Sequence, residues 1–298
     1  MHKTGLFSAS TGNSIVAAAA TVCFLLISAP KASAADSRWY AGASIPVMYI
    51  DDTDTVTRGS NIDPQNPMAP PSTYRGKAVS KYDTGFKLEG VVGYEIGSSL
   101  RIELELFYSE ADVDKQAYSD ISTVTPLGPV SLPGERETPV SGSIKQVGAM
   151  VNLWYDIDLG SKWTPYVGVG AGVIEVDFGD VRYDENALAQ HISDSLHIAG
   201  ARQAAQQAGV PFDPARVSLP QLPPGFVPGV STTDTVFAYQ AATGVSYQLR
   251  DNVALRLGYR YQTSDDLKFR GRNDLGNTTD TKTDVHIHFI EIGFRYHF

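Results

Sequence analysis

Ten charged residues carry the chemistry that this sequence suggests most directly. Lys87, Glu89, Glu95, Arg101, Glu103, Glu105, Arg256, Arg260, Glu291 and Arg295 stand at alternate positions within otherwise apolar segments. Five cations face five acids, and charges buried together persist only when paired and hydrogen-bonded. Such a set can plug a polar interior or act as an ion gate that rearranges to open a narrow pore. A second grouping is His286 and His288, two residues apart on one parity. Histidines beside a lipid surface could serve a hydrolase, which also needs a nucleophile and an orienting acid. No serine follows them on that face, where Ile290 and Ile292 stand instead, so two polar rim residues are the simpler account. Asp51-Asp52-Thr53-Asp54 is acidic enough for a weak divalent site, but solvated turn residues are the better account. No glycine-rich phosphate loop or zinc spacing occurs. The expectation is no catalytic residue, no cofactor and no metal.

The elements that hold the ten charges have a period of two. Val253 to Tyr261 places Val253, Leu255, Leu257, Tyr259 and Tyr261 on one face and Arg256 and Arg260 on the other. Leu100 to Tyr108 and Ile290 to Phe298 repeat the pattern, and five further stretches lie near Trp39–Ile50, Gly85–Ile96, Gly142–Ile157, Trp163–Phe178 and Asp234–Leu249. Strict alternation marks strands with one apolar face. Pro46 cannot donate to a ladder and implies a bulge or an early end in the first of them. Short turns at Gly97-Ser98-Ser99, 158–162 and 250–252 alternate with long connections at about 51–83, 110–139, 179–233 and 264–284.

Eight antiparallel strands with three tight turns at one end and four long loops at the other describe an all-β transmembrane barrel. A soluble sandwich would show the same alternation. Two features favour the membrane: Tyr and Phe cluster at strand ends, and the segments exceed the roughly 5–6 residues usual in soluble sheets. At similar heights in such a barrel, Glu103, Arg256 and Arg295 form one level, and Glu89, Arg260 and Glu291 another. Glycines at 93, 148, 168, 170, 172, 244, 258 and 293 are expected to leave room for the long charged side chains.

The 298-residue chain opens with His2 and Lys3, an apolar run from Ile15 to Ile27, and Ala32-Ser33-Ala34. That order predicts a signal peptide over residues 1–34, cleaved to leave the barrel domain, 35–298. The run is too short for a spanning helix. Of the 24 Lys and Arg residues only Lys3 and Lys31 precede the cut, with no acid, so 22 basic and 33 acidic groups remain, net −11. An acidic balance argues against nucleic acid as a partner. The sole cysteine, Cys23, leaves with the signal, which excludes a disulfide framework.

Trp39-Tyr-Ala-Gly-Ala-Ser, Thr164-Pro-Tyr-Val-Gly-Val-Gly-Ala-Gly and Ile292-Gly-Phe-Arg-Tyr-His-Phe298 resemble the small OmpA-type and opacity-type outer-membrane barrels. The nearest resemblance is to the major surface antigen family of alphaproteobacteria. It covers the strands, roughly half the mature chain, while the loops depart freely. The resemblance implies that Phe294, Tyr296 and Phe298 are read by the barrel-assembly machinery. It also implies an outer-membrane location with periplasmic termini and outer-membrane lipid as the surrounding partner.

Within the third loop, Asp184 to Gly209 predicts a helix, with Leu188, Ile192, Leu196 and Ala199 as one stripe and Pro211 following. With the proline-rich run beyond it and its Phe212, Leu219, Leu222 and Phe226, this segment suits an adhesive or receptor-binding surface, or else a helix whose stripe folds onto the barrel rim. The expected function is a non-enzymatic surface protein, giving envelope structure and displaying loops for adhesion or contact with a host or cell-surface receptor. A narrow ion channel with a charged gate is the alternative, and a lipid-modifying hydrolase the third.

Overall fold

The computed structural model describes residues 38–61, 72–125, 128–132, 136–139, 142–178, 185–219, 221 and 232–298. The expected signal peptide, the helix-capping Asp184 and all four prolines after Pro214 lie outside the described residues, as do the side chains of Leu188, Ile192 and Leu196.

Eight staves close a ring. The first is split into β1 (Trp39–Ser44) and β2 (Val47–Ile50), with the break at Ile45-Pro46 where proline supplies no donor. Next come β5 (Gly85–Ile96), the inner part of β6 (Leu100–Thr125), β9 (Ser143–Asp156), β10 (Trp163–Asp177), β11 (Thr233–Arg250), β12 (Val253–Ser264) and β15 (His286–His297). Each pairs antiparallel with its neighbours, and β15 returns to β1 with Tyr40 opposite His297 and Ala43 opposite Phe294. Closure leaves the ring no unpaired edge.

Alternation sorts the side chains. Outward positions on the staves are exposed and apolar, as with Ile102, Leu104, Val169, Leu257 and Ile292. Aromatic residues bound this belt on both sides. Toward the tight turns stand Trp39 against Tyr94 (5.1 Å between rings) and Trp163 against Tyr247 (4.6 Å). Toward the long connections stand Tyr49, Phe86, Phe237, Tyr239 and Tyr259. Along β10, Trp163 and the partner of Phe237, Val173, are ten residues apart, about 23 Å for tilted strands and close to the usual apolar band.

The long connections near 51–83, 110–139 and 264–284 are largely strand. β3 (Thr53–Asn61), β4 (Ser72–Tyr82), β7 (Gly128–Leu132), β8 (Arg136–Pro139), β13 (Leu267–Arg272) and β14 (Thr278–Thr283) join the outer part of β6 in a second sheet. Its order is β13-β14-β3-β4-β6, with β7 and β8 both on the far side of β6. β6 thus runs through both sheets, pairing with β5 and β9 below and with β4, β7 and β8 above. Sequence alternation is weak in most of these strands because threonine and serine occupy both faces.

The third connection holds α1 (Glu185–Ala208), which ends at Gly209 in the left-handed region (φ 66°) and lies beside β7 and β6. Among the described residues no helix is long and apolar enough to cross a membrane.

Candidate functional site

The ring's interior is stratified. At the tight-turn end, Arg101 donates to Asp156 through Nε (2.6 Å) and Nη2 (2.8 Å). One level up, Glu103 accepts from Tyr40 Oη (3.0 Å) and Trp154 Nε1 (3.1 Å), and pairs with Arg256 at 3.6 Å and Arg101 at 3.8 Å. Arg256 continues to Glu291 at 3.1 Å, where Tyr166 Oη also donates (3.3 Å).

Above that, Glu105 collects four donors: Lys87 (2.5 Å), Arg260 (2.6 Å), Asn152 (2.8 Å) and Gln240 (3.0 Å). Glu89 pairs with Lys87 and with Arg260, each at 3.1 Å, and Arg260 reaches Glu291 at 2.8 Å. Most of these groups are held by one another, while Arg256 Nε, Arg260 Nε and two nitrogens of Arg295 are buried without a hydrogen-bond partner.

Two expected members behave differently. Glu95 stands opposite Arg101 in register but, partly exposed at the tight-turn mouth, it meets His297 Nε2 at 2.8 Å. Arg295 does not reach Glu103. Its nearest acid is Asp156, at 3.9 Å, while its guanidinium stands 5.3 Å over the Tyr40 ring and Arg101 takes its place beside Glu103. The level expected for Glu103, Arg256 and Arg295 is therefore Arg101, Glu103 and Arg256. Five acids still oppose five cations, with Asp156 in place of Glu95.

Sequence reasoning missed the neutral half of this site. Tyr40, Trp154, Tyr166, Asn152 and Gln240 share the inward parity, which was the available signal, but counting charges passed over them. The glycines make room for these rings more than for the charged chains. A Cβ on Gly93 would strike the Tyr40 ring, and one on Gly168 would strike Trp154.

Toward the long-connection end the interior turns apolar. Met48, Phe107, Ile144, Met150, Ile174, Ile287 and Phe289 are buried together with Leu267 and Phe269 of β13. Lys87 Nζ lies under this cap, 4.1 Å from the Phe107 ring centre and 4.9 Å from that of Phe289.

Outside the ring, the two histidines join short polar chains at the rim. Tyr259 Oη lies 2.6 Å from His288 Nδ1, and His288 Nε2 lies 3.2 Å from Asp51. His286 Nδ1 faces Tyr261 Oη (2.9 Å) and Thr263 Oγ1 (3.0 Å), and its Nε2 faces Asp284 at 3.1 Å. The acids considered for a divalent site are thus divided: Asp51 meets His288, Asp52 meets Lys81 at 3.7 Å, and Asp54 is exposed. No group of three His, Cys, Asp or Glu that could hold a metal ion occurs among the described residues. Phe294 and Tyr296 face outward on β15, and the ring of Tyr296 stands 5.7 Å from that of Phe298.

Comparison with known proteins agrees with this architecture. The family model described as outer membrane protein beta-barrel domain matches residues 19–298, and the chain belongs to that family. An outer membrane protein of Gluconacetobacter diazotrophicus is 34% identical over 105 residues. That match covers 33% of this chain and 24% of the relative, so the chain spans about a quarter of the length of the curated relative it matches. Among solved structures, Neisserial surface protein A is similar at 16% identity and a TM-score of 0.39, covering 88% of this chain and 98% of that one. The outer membrane protein OprG of Pseudomonas aeruginosa is similar at 14% identity and a TM-score of 0.42, with 88% and 98% covered. The protein is an outer-membrane β-barrel.

Proposed function

We propose that this barrel is a non-enzymatic surface protein, with its tight turns and termini in the periplasm and its second sheet presented outside the cell for adhesion or host contact. The observation that carries the reading is the second sheet itself. The connections are built as paired strands standing on the ring, a form that holds a surface in one shape and reduces the entropy lost on binding.

The interior supports a structural role for the charge network. A balanced set of paired charges under a largely apolar cap, broken by Ser109, Gln146 and Gln262, weighs against the narrow channel. Surface protease on intact cells is the test: cleavage within 51–83, 110–139, 179–233 or 264–284 is expected, together with lower adherence of cells lacking the protein. Protection of all four segments, or unchanged adherence, would overturn the reading.

A hydrolytic role has one observation in its favour. Thr263, His286 and Asp284 place a hydroxyl on one imidazole nitrogen and a carboxylate on the other, an order that nucleophilic catalysis uses. Tyr261 occupies the same nitrogen as Thr263, and the polar rim accounts for both. Thr263→Ala is therefore expected to leave acyl-chain release from outer-leaflet glycolipid at background; release that the substitution abolishes would move the protein among the lipid hydrolases.

A further inference from the structure

The outer face of the second sheet carries a concentration of positive charge that the network and the rim do not use. Register places Arg270, Asp280, Arg58 and Arg75 directly opposite one another on β13, β14, β3 and β4. One row nearer the ring, Lys268, Lys282, Val56 and Lys77 stand opposite one another in the same way, and Arg272 lies one row beyond. Opposed residues of an antiparallel pair share a face. That face is the solvent side, because the alternate residues Leu267, Phe269, Thr283 and Ala78 are buried while all seven cations are exposed.

Three acids serve these seven cations. Asp280 meets Arg270 at 3.4 Å, Asp266 meets Lys282 at 2.7 Å, and Asp120, at a bulge in β6, meets Lys77 at 3.2 Å. The charged groups of Arg58, Arg75, Lys268 and Arg272 form no ion pair among the described residues, although the Lys268 backbone N–H donates to Asp234 at 2.8 Å. The chain as a whole carries a formal charge of −9, so this face runs against the sign of the molecule. Arg58 opposite Arg75 and Lys268 opposite Lys282 are like-charge cross-strand pairs, an arrangement that destabilises a sheet unless an anion lies between the members.

We infer that this face binds an anionic polysaccharide, one bearing sulfate or carboxylate groups at intervals of a few ångströms. The inference rests on the reading that the second sheet lies outside the cell, and it names the class of ligand met there. Four strands at about 4.8 Å spacing make each row about 14 Å wide, flat and without a pocket. Single exposed ion pairs contribute little, so useful affinity needs a ligand that meets several cations at once. The three rows contain no aromatic side chain on which a base could stack, which disfavours single-stranded nucleic acid. Lys268 donates its backbone N–H to Asp234, three residues beyond Phe237 of the outer aromatic girdle, about 7 Å along tilted strands and at the outer edge of the headgroup layer. The lowest row therefore stands at the edge of the lipid headgroups, and the two rows beyond it stand level with free glycan.

The test uses the full barrel in detergent or nanodiscs, with dextran sulfate as the probe and uncharged dextran as the control. Wild type is expected to bind dextran sulfate, weaken steeply with salt and ignore dextran. The triple substitution Arg58→Gln, Arg75→Gln, Arg270→Gln is expected to bind roughly tenfold more weakly, from several exposed contacts of modest strength each. Asp280→Asn removes the acid from the middle row and is expected to tighten binding. All four side chains are exposed, and unchanged electrophoretic mobility of the unboiled protein checks that the variants fold. Failure to bind dextran sulfate, equal binding of dextran, or a triple variant that binds like wild type would each overturn the inference. So would binding confined to vesicles containing lipopolysaccharide, which would assign the face to the cell's own outer leaflet. Protease cleavage on intact cells reads the display separately: cleavage without dextran sulfate binding refutes the glycan site and leaves the surface role standing.

Discussion

Glu105→Gln is the most informative perturbation of the interior. The side chain is fully buried and accepts from two cations, Lys87 at 2.5 Å and Arg260 at 2.6 Å, and from Asn152 and Gln240. The amide keeps the volume, removes the charge, and turns a donor toward one of these donors. Two charge-assisted bonds at about 1.5–3 kcal/mol each give a gross loss of about 3–6 kcal/mol. Lys87 keeps Glu89, and Arg260 keeps Glu89 and Glu291, which places the expected cost near the lower end, at about 3–4 kcal/mol. With a urea slope of about 2 kcal/mol per molar, the unfolding midpoint should fall by about 1.5–2 M. Equilibrium urea unfolding of the detergent- or vesicle-folded barrel, followed by tryptophan fluorescence, measures it. Trp154 sits one level below and reports on the same region. Adding Lys87→Met removes the excess positive charge, and the pair should recover a large part of the loss. A cost below about 1 kcal/mol, or a double variant no better than the single, would mean that these charges are screened as exposed ones are, and the argument for a buried, mutually paired interior would fail.

Glu103→Ala removes an acid shared by Arg101 and Arg256 and should lower urea resistance by about 3 kcal/mol or more, with planar-bilayer recordings remaining silent; a barrel that opens instead would make the network a gate. Replacing Phe107 and Phe289 together by alanine should cost about 3–5 kcal/mol per ring and create small conductance steps, because the cap over Lys87 is then removed; silent recordings from a folded double variant would locate the seal elsewhere. Deleting Phe298 should reduce assembly in cells more than deleting most of 179–233, measured as the heat-modifiable fraction in outer membranes, since the last strand closes the ring; equal assembly would contradict this. Unboiled protein should migrate faster than boiled, as a closed ring resists detergent, and recovery in the soluble periplasmic fraction would refute the architecture.

The eight staves, their turns and the helix ending at Gly209 were legible in the sequence, because period-two alternation and turn chemistry are local properties that each segment carries alone. The inward parity of Lys87, Arg101, Arg256, Arg260 and Glu291 came with them, since parity follows from the pleat of one strand. Which charge meets which did not. Asp156 takes the place expected of Glu95, and Arg101 that of Arg295, because partners across the interior depend on how far each strand is staggered when the ring closes. That stagger is a property of all eight strands together. The same holds for Tyr40 and Trp154, whose rings fill the space above Gly93 and Gly168 on neighbouring strands. The second sheet stayed hidden for a different reason: β3, β4 and β14 carry threonine and serine on both faces and β13 is only six residues long, so local period is weak, and the continuation of β6 past the rim gives them a template. Its basic rows became visible last, since Arg58, Arg75 and Arg270 lie far apart in the chain and share a face only through cross-strand register.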